Sequence, residues 1–521
     1  MNDGGEYIDR SFNIRPLCFW ALLVGVTLIL CHISIWAAAG FIFAIVLSLV
    51  GLHFIKTKDK FLIFLGSSRF FFIGTIILCL VVMMSFGIVN LVYSNTKSFA
   101  GTHKLGGVVE SYNFRHPDDG VSFMSLSNVK FNGKNISGRV IVFVSGYDGQ
   151  EDTAGLEVGR RVQIQTRINV VSATAINVNN GTRYSASTRF SDIQIGERSG
   201  SVRFMVLRYT KSFLNKYLSS DNAELMYSMM FGDKSALNDE IRSDFVVGGV
   251  AHALAVSGLH VGVIILMMVG FLRLVRLRRK FQLPVVLAVL LLYCYLCGFA
   301  FPVVRASIMF LIILANRIYL RKTDLLSSVC FAGIVSMIIF PYSITSVSFQ
   351  LSYACVVGIA LLYRPIENLL NHTVIKIAPK PVKTAQRFFI KGATMCLCAD
   401  IALAPLVIKY FGVIPVFSLL TNLFVLPVLV VCFQGAVIAC VSWVGFFLLY
   451  PIEYLLVAVR WVMSLVSRIS FAGLYISNGG FWFLCYFLGI IVLSRFIFVR
   501  PIYKYCAALM LFGVYSVGFF L

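Results

Sequence analysis

The sequence predicts an α-helical polytopic membrane protein with a small external β-barrel domain inserted after the third span. Three observations predict it. The chain is 59% hydrophobic and only 13% charged, whereas soluble domains carry about 25% charged residues. Its apolar residues gather into runs of the length that crosses a bilayer, about 20 residues. One long polar stretch, 93–250, interrupts those runs and alternates in the manner of strands.

The first spans are expected at Leu17–Ile33, Trp36–Ile55 and Phe70–Val92. Arg10 and Arg15 precede them without a small-residue cleavage site, so the first run reads as a retained span. After the polar stretch come Ala251–Val275, Leu283–Ala300, Val303–Ile318, Leu325–Phe340, Ile344–Tyr363 and Phe388–Ile408. Val413–Val441, Trp443–Val466, Phe481–Val499 and Tyr505–Leu521 complete thirteen spans, the first of these four interrupted by Pro415 and Pro427 and expected to be broken or re-entrant.

Charge sets the orientation. Basic clusters at Lys56–Arg69, Arg273–Lys280, Arg317–Lys322 and Arg364–Lys391 all fall in the cytoplasm if the N-terminus is cytoplasmic and 93–250 external. Arg460 and Arg468 then lie on the wrong side. The net charge of +22 is weak support for a polyanionic partner, because 93–250 holds 18 Lys/Arg against 15 Asp/Glu and most of the excess sits in short loops. All 13 cysteines lie in or beside apolar runs and none falls in 93–250, which argues against a disulfide-stapled exterior and a cysteine zinc site.

The external region divides at about residue 200. Runs KLGGVVESYNF, GVSFMSLSNVKF, GRVIVFVSGY, RVQIQTRINVV and SATAINV read as five strands, with turns at Asn132-Gly133 and Asp148-Gly149. Five short strands in so few residues suit an OB-like barrel over 93–200. Residues 201–250 turn helical and amphipathic, either at the membrane surface or covering a barrel edge. The domains are then 1–92 spans, 93–200 barrel, 201–250 connector and 251–521 transmembrane domain.

Residues 251–264, AHALAVSGLHVGVI, place polar groups where a span should begin. On a continuous helix Gly258 and Gly262 share a face suited to close helix contact. His260 points about 200° away from Gly258, with Ser257 and His252 on its broad side. Intramembrane polar residues usually face a protein interior or a wet path, and Arg305, Gln350, Ser352, Asp400 and Asn422 join this set. Asp400 is the natural partner for Arg305. Interhelical hydrogen bonding competes with path lining for Ser257 and His260, and structural capping for Gln350 and Asn422. Catalysis is disfavoured, since a Ser–His pair still needs an orienting carboxylate and an oxyanion hole. On an unbroken helix His252 and His260 stand roughly 12 Å apart, too far to share a metal ion. No cofactor is expected.

The run ELMYSMMFGDKSALNDEIRSDFVVGGVAHALAVSGLHVGVI (224–264) resembles the signature of ComEC-type competence proteins. FPVVRASIM (301–309), SFQLSYACVVGI (348–359) and APLVIKYFGVIPVFSLLTNLFVLPVLV (404–430) follow in the same order. The resemblance implies a bacterial inner-membrane channel that passes single-stranded DNA to the cytoplasm during natural transformation. It implies a periplasmic DNA receptor outside, and a helicase or strand-binding proteins inside. Asp400 departs from the small or uncharged residue expected there. Many members add a metallo-β-lactamase-like nuclease domain. The seven histidines here hold no His-x-His-x-Asp-His cluster, so either a separate protein supplies the nuclease or the sequence is a shortened one.

A polyanion needs water, donors and cations along its way, and aromatic surfaces for its bases. His252, Ser257, Gly258, His260, Arg305, Gln350, Ser352, Asp400 and Asn422 are the candidate path residues. Lys130, Arg160, Arg161, Arg167 and Tyr112 are the candidate contacts in the barrel. Two rivals remain: a multispan envelope enzyme using Ser257 and His260, and a small-molecule or lipid transporter. Against the second, no internal repeat stands out.

Overall fold

The computed structural model describes residues 16–54, 69–96, 102–113, 122–136, 138–146, 156–174, 177–178, 181–234, 237–318, 325–374, 380–442, 445–475 and 486. Three apolar helices open the chain: α1 (Pro16–Ile33), α2 (Ile35–Phe54) and α3 (Arg69–Ser94). They coincide with the first three predicted spans to within two residues.

The barrel follows. Strands β1 (Thr102–Asn113), β2 (Ser122–Phe131), β4 (Arg139–Ser145), β6 (Thr182–Arg189) and β5 (Arg160–Val170) pair in that spatial order, and β5 closes back on β1. The β4–β6 pair is parallel and the other four junctions are antiparallel. A closed five-stranded barrel with one parallel seam is the OB arrangement. Alternate residues fill it: Leu105, Val109, Met124, Leu126, Val140, Val142, Val162 and Ile164 are all buried. The Asn132-Gly133 turn has positive φ at both residues, 45° and 83°, the type I′ geometry that suits a two-residue hairpin. It leads to β3 (Lys134–Asn135), and β7 (Gln194–Arg198) pairs with β5. The Asp148-Gly149 turn lies outside the described residues.

One predicted strand is corrected. SATAINV (172–178) is not the fifth strand; TRYSASTR (182–189) is. Ala173 and Val178 instead pack against a cluster built by α1 and α3. Ala173 and Val178 are thereby partly buried against the bundle, which withdraws apolar surface from water.

The connector comprises α4 (Val202–Tyr217), α5 (Ser220–Phe231) and α6 (Asp239–Val247). Phe204 of α4 seals against Gly159 of the barrel, which favours the barrel-covering alternative for this helix. The next two helices enter the bundle: Leu225, Met226, Met229 and Phe245 share a core with Leu429, Phe433, Val459 and Met463. The residues Ala251–Leu254 form one 3-10 turn, and α7 begins only at Gly258, running to Leu274. The continuous helix predicted from Ala251 is therefore broken, and the 12 Å spacing argument for His252 and His260 loses its premise.

The remaining helices are α8 (Arg279–Leu296), α9 (Phe301–Ile318), α10 (Leu325–Ile339), α11 (Val347–Val374), α12 (Lys380–Phe411), α13 (Ser418–Val441) and α14 (Leu449–Ser467). Pro427 does not break α13; the interruption is at Val413–Pro415, a strand (β8) paired with Gly473–Tyr475 (β9). Among the described residues six helices are long and apolar enough to cross a membrane, and five shorter apolar helices accompany them. The predicted spans Phe481–Val499 and Tyr505–Leu521 lie outside the described residues, Tyr486 excepted.

Barrel and bundle are tied at two places. Glu110 of β1 accepts from Arg139 and from Arg203 of α4, both at 2.8 Å. These arginines also donate to the carbonyls of Gly298 and Leu296 at the end of α8. Gly298 has φ +66°, and a Cβ there would stand 2.6 Å from the Arg203 guanidinium, so only glycine fits the junction. On the other flank the Tyr93 hydroxyl of α3 lies 3.1 and 2.9 Å from the carbonyls of Asn177 and Thr182.

Candidate functional site

Five helices close a circuit of contacts: α7 with α9, α9 with α11, α11 with α12, α12 with α13, and α13 with α7. The residues that stitch it lie near the helix ends on the barrel side. They are largely those the sequence singled out.

At the α7–α9 junction, Gly258 faces Ala306, and a Cβ on Gly262 would come within 2.8 Å of the Phe310 ring. Absence of side chains lets these two helices approach closely. On the opposite side of α7 the His260 ring lies 4.7 Å from that of Phe433 on α13. Ser257 is the N-cap of α7. Its backbone N–H donates to His260 Nδ1 at 3.1 Å, and its Oγ stands 3.1 Å from the same nitrogen. A backbone N–H can only donate, so Nδ1 carries the lone pair and the proton resides on Nε2. This is a capping box with histidine in the usual Glu/Gln place. His260 is 2% exposed, so it is packed in the wall of the circuit.

His252 is different. Its side chain is solvent-exposed, unlike the packed ring of His260. The backbone around it, from Gly248 to Ser257, is a turn, a 3-10 helix and an extended stretch. Gly258 beyond it meets Ala306, five residues into α9, or about 8 Å along that helix. Irregular backbone within a membrane bundle is tolerated where protein covers it or where it borders water.

At the α9–α11 junction, Arg305 Nη2 donates to Ser348 O at 2.9 Å and lies 3.2 Å from its Oγ. The guanidinium sits 5.7 Å from the Phe349 ring centre. Arg305 is 2% exposed, while Ser348 in front of it is exposed. The expected Arg305–Asp400 pair does not form. Asp400 of α12 instead accepts from Ser418 Oγ of α13 at 2.7 Å, being on a helix that adjoins α13 and α11 rather than α9. Gln350 joins α11 to α12: its Oε1 accepts from the Tyr410 hydroxyl at 2.6 Å, and its Nε2 donates to Ile344 O at 3.0 Å. Ser352 is half-buried two residues on, and Asn422 is half-buried with its Oδ1 buried and, among the described residues, unbonded. Among the described residues no three His, Cys, Asp or Glu side chains gather as a metal would require.

In the barrel, Lys130, Arg161 and Arg167 are exposed on the outer wall. Lys104 and Lys134, also exposed, extend that basic surface. Arg160 is half-buried and donates to Gly196 O, and Tyr112 packs against the barrel core; neither is freely presented. The sequence reading missed an aromatic pair. Phe123 of β2 and Phe143 of β4 stand directly opposite each other on the outer face, Phe143 being 42% exposed. This is the strand pair through which OB barrels take up oligonucleotides. The signal was legible: both phenylalanines occupy the outward phase of an alternating strand.

Fold and circuit together define a polytopic membrane protein whose OB-type barrel is docked on one end of its helical bundle. The chain belongs to the competence-protein family, whose model matches residues 229–501. That match begins within α5, upstream of the boundary expected at 251. The chain is 24% identical over 255 residues to ComE operon protein 3 of Bacillus subtilis, covering 48% of this chain and 30% of that protein. It is 32% identical over 144 residues to an uncharacterized protein of Aquifex aeolicus, covering 27% and 33%. It is 32% identical over 152 residues to Recombination protein 2 of Haemophilus influenzae, covering 27% and 19%. The matches thus span a third or less of each relative's length. No solved structure matches the chain.

Proposed function

We propose that this chain passes single-stranded DNA through the bacterial cytoplasmic membrane during natural transformation, with its barrel on the outer face and its N-terminus in the cytoplasm. The supporting observation is His252: an exposed, donor-bearing side chain on irregular backbone inside the region the competence family shares. The barrel receives the strand on the Phe123–Phe143 face and on the basic wall around Lys130 and Arg167. The strand then descends past His252 and Ser348, whose polar groups replace lost hydration. No covalent step is required of the chain. Its partners in this role are a periplasmic DNA receptor outside, and a helicase or strand-binding proteins inside.

The Ser257–His260 contact does not favour the enzyme reading. Nδ1 is used in the helix cap, and the ring packs against Phe433; among the described residues it has no bond to a carboxylate of the kind a triad uses.

Labelled DNA offered to cells lacking the chain should collect outside the cytoplasmic membrane, and wild-type chain should restore its arrival in the cytosol. His252→Trp, which puts a bulky apolar ring at that exposed position, should restore membrane insertion but not arrival. Undiminished arrival without the chain would refute the channel; full arrival with His252→Trp would refute this route.

A further inference from the structure

The turn that joins α7 to α8 holds five cations in eight residues, Arg273, Arg276, Arg278, Arg279 and Lys280, with no acid among them. All five are exposed, and among the described residues none enters an ion pair. Arg279 and Lys280 stand in the first turn of α8, where the helix dipole disfavours positive charge and no acid offsets it. The backbone that carries the five is fixed. The Arg276 N–H donates to Arg273 O and the Leu277 N–H to Leu272 O, at 3.0 and 2.9 Å. The buried Gln282 donates from Nε2 to Leu277 O at 3.2 Å. Arg276 has φ +56°, the conformation for which a helix end usually has glycine. Glycine would make this reversal with less strain, and an arginine stands there instead.

Apolar side chains surround the cations. Phe271, Leu274, Val275 and Phe281 are exposed, Leu274 by 80%, and Lys280 Nζ lies 5.0 Å from the Phe281 ring centre. The 18 residues of α8 span about 27 Å, and its far end carries the carbonyls of Leu296 and Gly298 that accept from Arg203 and Arg139. The turn therefore lies close to one hydrocarbon thickness, about 30 Å, from the barrel junction. It also lies at the periphery: α8 packs chiefly against α7, α9 and α4, outside the five-helix circuit, and its Leu291 and Leu292 are exposed. The rule that sets orientation asks only for a count of positive charges. It accounts neither for a fixed turn nor for four arginines among five cations.

We propose that this turn binds the phosphate groups of anionic phospholipid in the leaflet opposite the barrel. Guanidinium groups take phosphate oxygens in pairs, and the apolar neighbours meet the upper part of the acyl chains. The peripheral position favours lipid over a strand leaving the circuit. Bound headgroups cancel the repulsion among the five cations and hold one end of α7, whose other end carries Ser257 and His260. The proposal does not depend on DNA passage.

The test follows thermal unfolding of the purified full chain in detergent micelles with phosphatidylethanolamine, phosphatidylglycerol or cardiolipin at equal total lipid. Phosphatidylglycerol and cardiolipin should raise Tm over phosphatidylethanolamine along a saturating curve. Arg276→Gln with Arg278→Gln should weaken the apparent affinity about tenfold or more. Arg276→Lys with Arg278→Lys, which keep the charge but lose the paired hydrogen bonds, should weaken it severalfold. Arg364→Gln with Lys391→Gln removes two exposed cations from other helices and should leave the affinity unchanged. Equal Tm in the three lipids would overturn the site. So would an equal loss in the Arg364 and Lys391 variant, which would mean attraction to surface charge at large. Displacement of phosphatidylglycerol by oligothymidylate in the wild type but not in the Gln pair would overturn it in favour of the strand. If the Gln pair fails to insert, full affinity in the Lys pair overturns the site alone.

Discussion

Phe143 is 42% exposed beside Phe123 on a face that could have been polar throughout. Its register partner on β6 is Ser187, and Ser125 lies two residues beyond Phe123 on β2. Two adjacent rings among hydroxyls present a surface on which bases stack, worth about 1–3 kcal/mol per base. Phe143→Ala should weaken binding of oligothymidylate to the full chain in nanodiscs by at least about fivefold at fixed salt. Anisotropy titration measures this, and Phe143→Tyr should retain most of the affinity. Single residues also show what could be read without coordinates. Strand phase alone put Phe123 and Phe143 outside, so their exposure was legible. The partner of Arg305 was not. Two oppositely charged residues in different spans suggest a pair, but which helices adjoin is decided by packing across the bundle, and α12 turned its Asp400 to Ser418. Arg460 is a similar case: it looked misplaced because an arginine beside a span end usually marks the cytoplasm. Its charge is instead met by Asp221 of α5, which comes alongside α14.

Helices α7 and α9 cross where one has glycines and the other Ala306 and Phe310. The two glycines are not equivalent. A methyl group at Gly258 would sit 3.7 Å from Ala306 Cβ, an ordinary contact, whereas one at Gly262 would meet Phe310 at 2.8 Å. Gly258→Ala should therefore leave Tm nearly unchanged. Gly262→Leu should cost about 1–3 kcal/mol or more through overpacking and reduce DNA arrival with it. Scanning calorimetry of both variants in detergent separates the two outcomes. Element positions were readable wherever a run was long and uniformly apolar, as for α1 and α3. They failed where a segment's burial came from elsewhere: SATAINV looked like a strand because nothing local reveals that Ala173 and Val178 pack against the cluster of α1 and α3. The break before α7 was signalled by Ser257 at the cap position, but the apolar residues around it argued for continuity and concealed it.

Over the whole molecule, one of the two ties between barrel and bundle runs through a single carboxylate. Glu110 is 10% exposed and faces two arginines, so its removal leaves two cations crowded against the α8 carbonyls. Breaking such a partly buried group should cost about 2–4 kcal/mol. Glu110→Gln should raise hydrogen exchange in β1 and the start of α4 while leaving α11 and α12 unchanged. A double-mutant cycle with Arg203→Ala should return a coupling of at least about 1 kcal/mol. Equal protection in wild type and Glu110→Gln would mean that the Tyr93 flank carries the attachment. Composition and the basic clusters announced a membrane protein with an external domain, but not this attachment, since Glu110 and Arg203 are 93 positions apart.

The short ribbon of β8 and β9 has a mechanical consequence. By joining Val413–Pro415 to Gly473–Tyr475, it clasps the two ends of a hairpin made of α13 and α14, so neither helix can tilt without dragging the other. Ser418, Thr421 and Phe433 ride on that lever, and with them the contacts to Asp400, Gly248 and His260. Any widening of the circuit to admit a bulky polymer would then be a swing of the whole hairpin, pivoting at the clasp, in place of the bending of a lone helix.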